Sequence, residues 1–517
     1  MSSGESHQHP PRHQRTTQAR RTLGGTLYGA TRRAAGSMDR WLRRVSVAPA
    51  NPHPAPPEEP PISADLLDLL RHFGVALIAS GETTGRVQEL LDELAHRYDA
   101  DDVHFFVLPT GVFVRVQDSR GSAVDLLEAD PGTLRLDQIA ALYRLLDEIR
   151  TELPPPAEAT DRLEKILRSP QPTPVWRLLL GNVVLTVGLG LMLNPTSTAL
   201  LGYIVLGLTM QLLIMAAVRF RLLSTALPVV AGTVVTLLSF GFPNALGGGN
   251  PSQLLVPSVA ALLPGATLTN GSIELATGSM IAGASRTIYG LNQLILLAFG
   301  VLVGLQLLGT IPPISPHAGH GLGWWTPLLG VLLIGLGYSW RASAPKNSLI
   351  WLLIVLYAAF CGQKLGIQLG GSLLGSFLGG MVAVPVAYLV QRNRNAPPTQ
   401  VVFLPAFWML VPGGMSLSGV SELVTKNDPN GMHILVNAVL TVLAIALGVL
   451  VGSGLAASTR KPRLEDMVEG WLGPDTGKHA AANLVEPPRE PSPPAADDES
   501  QRTTGSSEPG SPSQSSQ

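Results

Sequence analysis

From Val175 to Ser458 the chain is a succession of apolar runs broken by turns and short charged stretches. Runs of about 20 apolar residues match the hydrocarbon thickness of a bilayer as helices. They predict about ten spans, near 175–194, 198–217, 225–243, 252–270, 287–308, 326–341, 347–363, 366–390, 400–420 and 431–456. Upstream the period differs. Ser63 can cap a helix through about Ser80, and Thr83 or Thr84 one through about Tyr98, with Val87, Leu90, Leu91 and Leu94 on one face. Val103 to Leu108, Gly111 to Val116 and Ala123 to Leu127 alternate as strands, and helices resume at Leu136 to Glu152 and Asp161 to Arg168.

One stretch occurs twice. Pro257, Pro264-Gly265, Gly271, Glu274-Leu275 and Thr277 return without a gap as Pro405, Pro412-Gly413, Gly419, Glu422-Leu423 and Thr425. Subtracting 257 from 405, 264 from 412 or 274 from 422 gives 148 each time, and adding 148 to the first five spans lands on the second five. Arg and Lys gather at every second turn, at Arg177, Arg219 with Arg221, Arg286, Arg341 with Lys346, Arg392 with Arg394, and Arg460 with Lys461; Lys364 and Lys426 depart from the pattern. The bias predicts both termini on the cytoplasmic side. Five spans per copy start the second copy on the opposite side, an inverted repeat.

The expected architecture is therefore a polytopic α-helical membrane protein. A basic, disordered tail covers 1–61 and a small cytosolic α+β domain 62–168. Five-helix repeats follow at 175–308 and 326–456, and a disordered tail at 464–517. Residues 1–61 hold no apolar signal region, so the first span is expected to target the chain.

Composition narrows the function. Of 517 residues 45% are hydrophobic and only 14% charged, with a net charge of −1, which gives no electrostatic footprint for nucleic acid. The single Cys361 sits in an apolar run, where packing is its expected role and no disulfide framework exists. No metal site or cofactor motif is expected. His317 and His320 lack Cys or Asp partners, and Gly473 to Lys478 is one residue short of a phosphate loop, with His479 where a hydroxyl should hold magnesium.

Between 175 and 459 the acidic residues are Glu274, Glu422 and Asp428. An ionised carboxylate in hydrocarbon costs several kcal/mol, so Glu274 and Glu422 are candidates for proton or ion coupling or for contact with a substrate ammonium. Each lies just beyond a Pro-Gly pair that removes a backbone donor and loosens a helix. Half-helix ends at Pro264, Gly265, Pro412 and Gly413 would expose amides and carbonyls to a small solute. Thr269 and Asn270 in one copy and Ser416 and Ser418 in the other supply further polar groups. In the amino-terminal domain Gly81 permits a tight turn, Glu82 and Thr83 suit a helix start, and Arg86 could pair with Glu82 one turn back.

At these residues the sequence resembles the threonine/serine exporter family. Gly81-Glu82-Thr83, Arg86-Val87, Pro109-Thr110-Gly111, the stretch from Leu263-Pro264-Gly265 to Glu274-Leu275 and its second copy carry the resemblance, over about residues 62–456. It implies a ten-span carrier in the bacterial cytoplasmic (inner) membrane that exports L-threonine and L-serine on the proton gradient. Its partners would be a small amino acid, protons and the lipid bilayer, and the sequence is silent on oligomeric state. A passive small-solute channel and a membrane-tethered hydrolase with catalysis in residues 62–168 are the alternatives. Nothing like Gly-x-Ser-x-Gly supports the latter, and an enzyme is not expected.

Overall fold

A computed structural model describes residues 63–118, 121–129, 132–247, 250–309, 322–393, 396–410 and 430–458. Residues 65–115 and 124–517 group as one compact unit; of the other, the described residues are 63–64, 116–118 and 121–123.

The amino-terminal layer opens with helices α1 (Ala64–Ala79) and α2 (Thr84–Arg97), joined at Gly81, whose φ of 89° is open to glycine at little cost. Strands β1 (Val103–Leu108), β2 (Gly111–Asp118) and β3 (Gly121–Glu128) form a sheet in the order β1-β2-β3. Leu69, Leu70, Phe73, Leu77, Leu91 and Val112 are wholly or almost wholly buried between helices and sheet. Helices α3 (Leu136–Glu152) and α4 (Pro156–Leu167) follow. The last begins five residues before the sequence expectation because Pro156 takes the first-turn position that needs no N–H donor.

Helices α5 (Val175–Leu193), α6 (Leu200–Arg219) and α7 (Arg221–Gly241) come next, then the short α8 (Pro243–Gly247). Helix α9 (Ser252–Val259), its 3-10 extension to Leu262 and α10 (Gly265–Ala276) make a pair bent by 64°. The expected break at Pro264-Gly265 is thus present. Helices α11 (Met280–Leu308), α12 (Thr326–Arg341), α13 (Ser348–Gln391), α14 (Thr399–Leu410) and α15 (Asn430–Ser458) complete the order.

Among the described residues six helices are long and apolar enough to cross a membrane, seven with the bent pair taken as one span. The chain is a multi-pass membrane protein. The 44-residue α13 turns back at Gly370-Gly371, where the helical dihedrals fail. Across this turn a methyl at Gly362 would stand 2.9 Å from the Leu378 carbonyl oxygen, and one at Gly366 2.5 Å from that of Leu374. The expected boundary between two spans at 363–366 moves to the glycine with φ of 85°. Cys361, expected in packing, is exposed.

Glycines set the helix crossings. A Cβ at Gly300 would lie 2.2 Å from the Val229 carbonyl oxygen, and one at Gly448 2.2 Å from that of Phe377. Adding 148 to 229 and 300 gives 377 and 448. Gly232 against Leu297 and Gly304 against Thr233 recur at the same offset as Gly380 against Ile445 and Gly452 against Met381. So α11 crosses α7 through the contacts by which α15 crosses the second half of α13. Helices α5 and α12 also meet through glycines, Gly181 against Gly337 and Gly188 against Gly330, in antiparallel sense. One apolar core joins Leu136 and Ile139 of α3 to Leu185, Val331, Leu356, Phe403 and Ile445 of the apolar helices α5, α12, α13, α14 and α15. The amino-terminal layer is packed onto the bundle.

Candidate functional site

The bend at Pro264-Gly265, both buried, turns α10 so that one face carries Thr269, Asn270 and Glu274, at 1%, 8% and 0% exposure. Gly271 and Gly283 let α11 approach that helix. A methyl on Gly283 would meet the Gly271 carbonyl oxygen at 2.7 Å. The close crossing brings Arg286 beside Glu274, with Nε 3.1 Å from Oε2 and side-chain exposures of 12% and 1%. Neither of those two atoms completes a hydrogen bond.

The other side of the site comes from the turn between α1 and α2. The Thr84 amide donates to Glu274 Oε1 at 2.8 Å, Asn270 Nδ2 donates to the Gly81 carbonyl at 3.0 Å, and Arg286 Nη2 donates to the Glu82 carbonyl at 3.0 Å. No side chain near in sequence caps α2. The Glu274 carboxylate does so from 190 residues away, a favourable place for negative charge at a helix amino terminus. Thr84 is itself 3% exposed, and its hydroxyl has no partner.

Glu82 directs its carboxylate elsewhere, accepting a hydrogen bond from the Tyr143 hydroxyl of α3. Burial pushes the Glu82 carboxyl above its ordinary range; Glu89 adds to the push, while Tyr143, Arg86 and Arg286 oppose it. Burial and the neighbouring Glu82 likewise hold the Tyr143 hydroxyl well above its usual value. The expected Glu82–Arg86 pair gives way to Arg86 bonding Glu89 at 2.8 Å, one turn farther along the same helix. Beside the site a cleft of about 310 Å³ opens between the start of α2, the end of β1 and residues 278–282.

The structure therefore brings together Gly81, Glu82, Asn270 and Glu274, and adds Thr84, Arg286 and Tyr143, to which the sequence reading gave no site role. A signal for Arg286 was available: from Leu222 to Trp340 Glu274 is the lone carboxylate and Arg286 the lone Lys or Arg, so each is the other's natural partner. Thr83 precedes α2 without a side-chain cap bond. Pro109 and Gly111 serve the hairpin instead, where the Ala129 amide bonds the Thr110 carbonyl and Gly111 runs close under Leu127. Pro412, Gly413, Ser416, Ser418 and Glu422 lie outside the described residues, as do His317 and His320. Among the described residues no cluster of His, Cys, Asp and Glu could hold a metal.

Six or seven candidate spans, with a bent helix pair carrying a buried carboxylate among them, define a polytopic membrane protein. The chain belongs to the threonine/serine exporter (ThrE) family, whose profile matches residues 68–308 and 321–456. It is 22% identical over 420 residues to the "Probable threonine/serine exporter" of Mycobacterium tuberculosis, covering 76% of this chain and 77% of that one. It is 27% identical over 247 residues to "Pheromone-regulated membrane protein 10" of Candida albicans, covering 46% of this chain. It spans only 22% of that relative's length. The same-named protein of Debaryomyces hansenii is 27% identical over 247 residues, 46% of this chain and 24% of its own. No solved structure matches.

Proposed function

We propose that the protein is a secondary exporter of small amino acids, L-threonine and L-serine above all, driven by the proton gradient across a bacterial cytoplasmic membrane. The observation that carries this reading is the broken span itself: Pro264-Gly265 bends the fourth expected span between α9 and α10, and a wholly buried Glu274 lies on the half-helix beyond. Discontinuous helices with buried charge are how carriers build solute sites inside a bilayer. Membership of an exporter family supports the direction of transport.

Two inverted five-helix halves, rocking against each other, would supply alternating access. The glycine contacts that recur at an offset of 148 support equivalent halves, and the antiparallel α5–α12 crossing supports their inversion, since the first helices of inverted copies must run oppositely. In this reading the second break at Pro412-Gly413, with Ser416, Ser418 and Glu422, faces the first across the site, and Pro264, Gly265 and Thr269 line it. Residues 62–168 are cytosolic, as are both termini, from the Arg and Lys bias of the loops.

The test is efflux. Cells lacking their own exporters are loaded with a threonine-containing dipeptide, and threonine release is followed with and without a protonophore. Gradient-dependent release that Glu274→Gln and Glu422→Gln abolish in correctly inserted protein is the expected result. Release indifferent to the protonophore would replace the carrier with a passive channel.

A further inference from the structure

We propose that Glu274, Asn270 and Arg286 form a receptor for the zwitterionic head of an α-amino acid, and that the turn 81–84 occupies it as an internal stand-in. The proposal rests on the export reading and deepens it by naming which groups meet which end of the solute.

The donor and acceptor pattern carries the inference. An α-amino acid head presents N–H donors on an ammonium and two acceptor oxygens on a carboxylate, one carbon apart. The turn presents the same pattern in neutral form, with the Thr84 amide as donor and the Gly81 and Glu82 carbonyls as acceptors. Facing them, Glu274 accepts, whereas Asn270 and Arg286 donate. In the solute complex the ammonium takes the place of the Thr84 amide on Glu274. The carboxylate takes the place of the two carbonyls on Arg286 and Asn270.

Charge favours the exchange. Glu274 and Arg286 are one anion and one cation in a buried place, so a zwitterion meets both with opposite charge. Charge-assisted hydrogen bonds are about twice as strong as neutral ones. The site also keeps unused capacity, since Glu274 Oε2 and Arg286 Nε stand 3.1 Å apart without completing hydrogen bonds, and the buried Thr84 hydroxyl has none. A purely structural joint would give these atoms no reason to distinguish solute head groups. A receptor has to distinguish them.

The experiment uses the full chain in lipid nanodiscs and binding of radiolabelled L-threonine. Its competitors are L-threoninol, which lacks the carboxylate, and 3-hydroxybutanoate, which lacks the ammonium. Wild type is expected to bind both competitors at least about tenfold more weakly than threonine, because a site built for a polar group is left unpaired without it. Arg286→Gln is expected to weaken threonine about tenfold or more and leave threoninol unchanged, removing the discrimination; Arg286→Lys keeps the cation and part of the selectivity should Arg286→Gln fail to insert. Displacement of the turn is read separately with Thr84→Cys in a Cys361→Ser background. This position is closed to solvent, and maleimide labelling should rise with threonine and not with threoninol.

Equal binding of threonine and threoninol by wild type overturns the receptor, as does unchanged threonine affinity in a folded Arg286→Gln or labelling indifferent to threonine. Threonine efflux persisting under any of these leaves the export reading standing alone. Head-group-selective binding of another α-amino acid, with none of threonine, upholds the receptor and overturns the solute assignment.

Discussion

Glu274 Oε1 accepts the Thr84 amide hydrogen at 2.8 Å, tying the first turn of α2 to the broken span across 190 residues of chain. One carboxylate thus caps a helix of the amino-terminal layer and neutralises Arg286 of α11. Removing its charge strands the buried guanidinium. Glu274→Gln is expected to cost about 3 kcal/mol of stability, the penalty of breaking a buried pair from one side. The double variant Glu274→Gln/Arg286→Gln should recover part of it. Thermal unfolding of the four proteins in detergent measures the coupling, and strictly additive losses would mean that the two charges do not act as a pair.

Equivalent glycines should respond alike. Gly300→Ala and Gly448→Ala each drive a methyl to 2.2 Å from a facing carbonyl oxygen, so helices must separate, at about 1–3 kcal/mol each. Gly454 has open space around its Cβ position, and Gly454→Ala should be neutral or stabilising by up to about 1 kcal/mol. Melting temperatures and the monodisperse fraction on gel filtration report the contrast. A Gly300→Ala protein as stable as Gly454→Ala would show that these crossings are not tight.

Much of this was legible in the sequence because the bilayer makes length and apolarity decisive. Leu136–Glu152 and Thr326–Arg341 have the expected limits, and the break at Pro264-Gly265 stands where proline chemistry puts it. The turn of α13 lies beyond the boundary that Lys364 suggests, because the backbone reverses where Gly371 can adopt positive φ. Glu274 was visible through the repeat, and Asn270 through the cluster of hydroxyl and amide side chains around it. Their partners were not: Gly81, Glu82 and Thr84 contribute backbone atoms, which residue identity does not encode, and the Tyr143–Glu82 contact joins positions 61 apart with no periodic signal.

Burial holds the Glu82 carboxyl above its ordinary value of 4.5. A carboxyl raised in the folded state favours the protonated fold. Its contribution is complete below the unfolded pKa and is lost as pH rises through the folded one. Thermal stability should therefore decline as pH climbs from about 4.5 through the Glu82 titration, and Glu82→Gln, always neutral, should flatten that decline. Tyr143→Phe removes a bond that favours the ionised form, so it should move the titration to higher pH. Difference infrared spectra of the protonated carboxyl follow the shift directly. An unchanged profile in Glu82→Gln would exclude Glu82 as the titrating group.

The turn that meets the broken span depends on Gly81, whose φ is 89° and whose Cβ position is open. Substitution there is opposed by backbone conformation and not by collision. Gly81→Asn should therefore be milder than Gly81→Ala, and Gly81→Val the worst, since a left-handed backbone costs an L-residue roughly 1–2 kcal/mol and asparagine offsets part of this locally. The loss should fall on the Gly81 carbonyl bond to Asn270 before it reaches the core of the layer, because Leu69, Phe73 and Leu77 lie behind the turn and stay packed. Hydrogen exchange would read this as faster exchange of the Thr84 and Gly85 amides, with α1 still protected. Equal loss of protection throughout α1 and α2 would instead make Gly81 a residue of the domain's global stability, with no separate role at the junction.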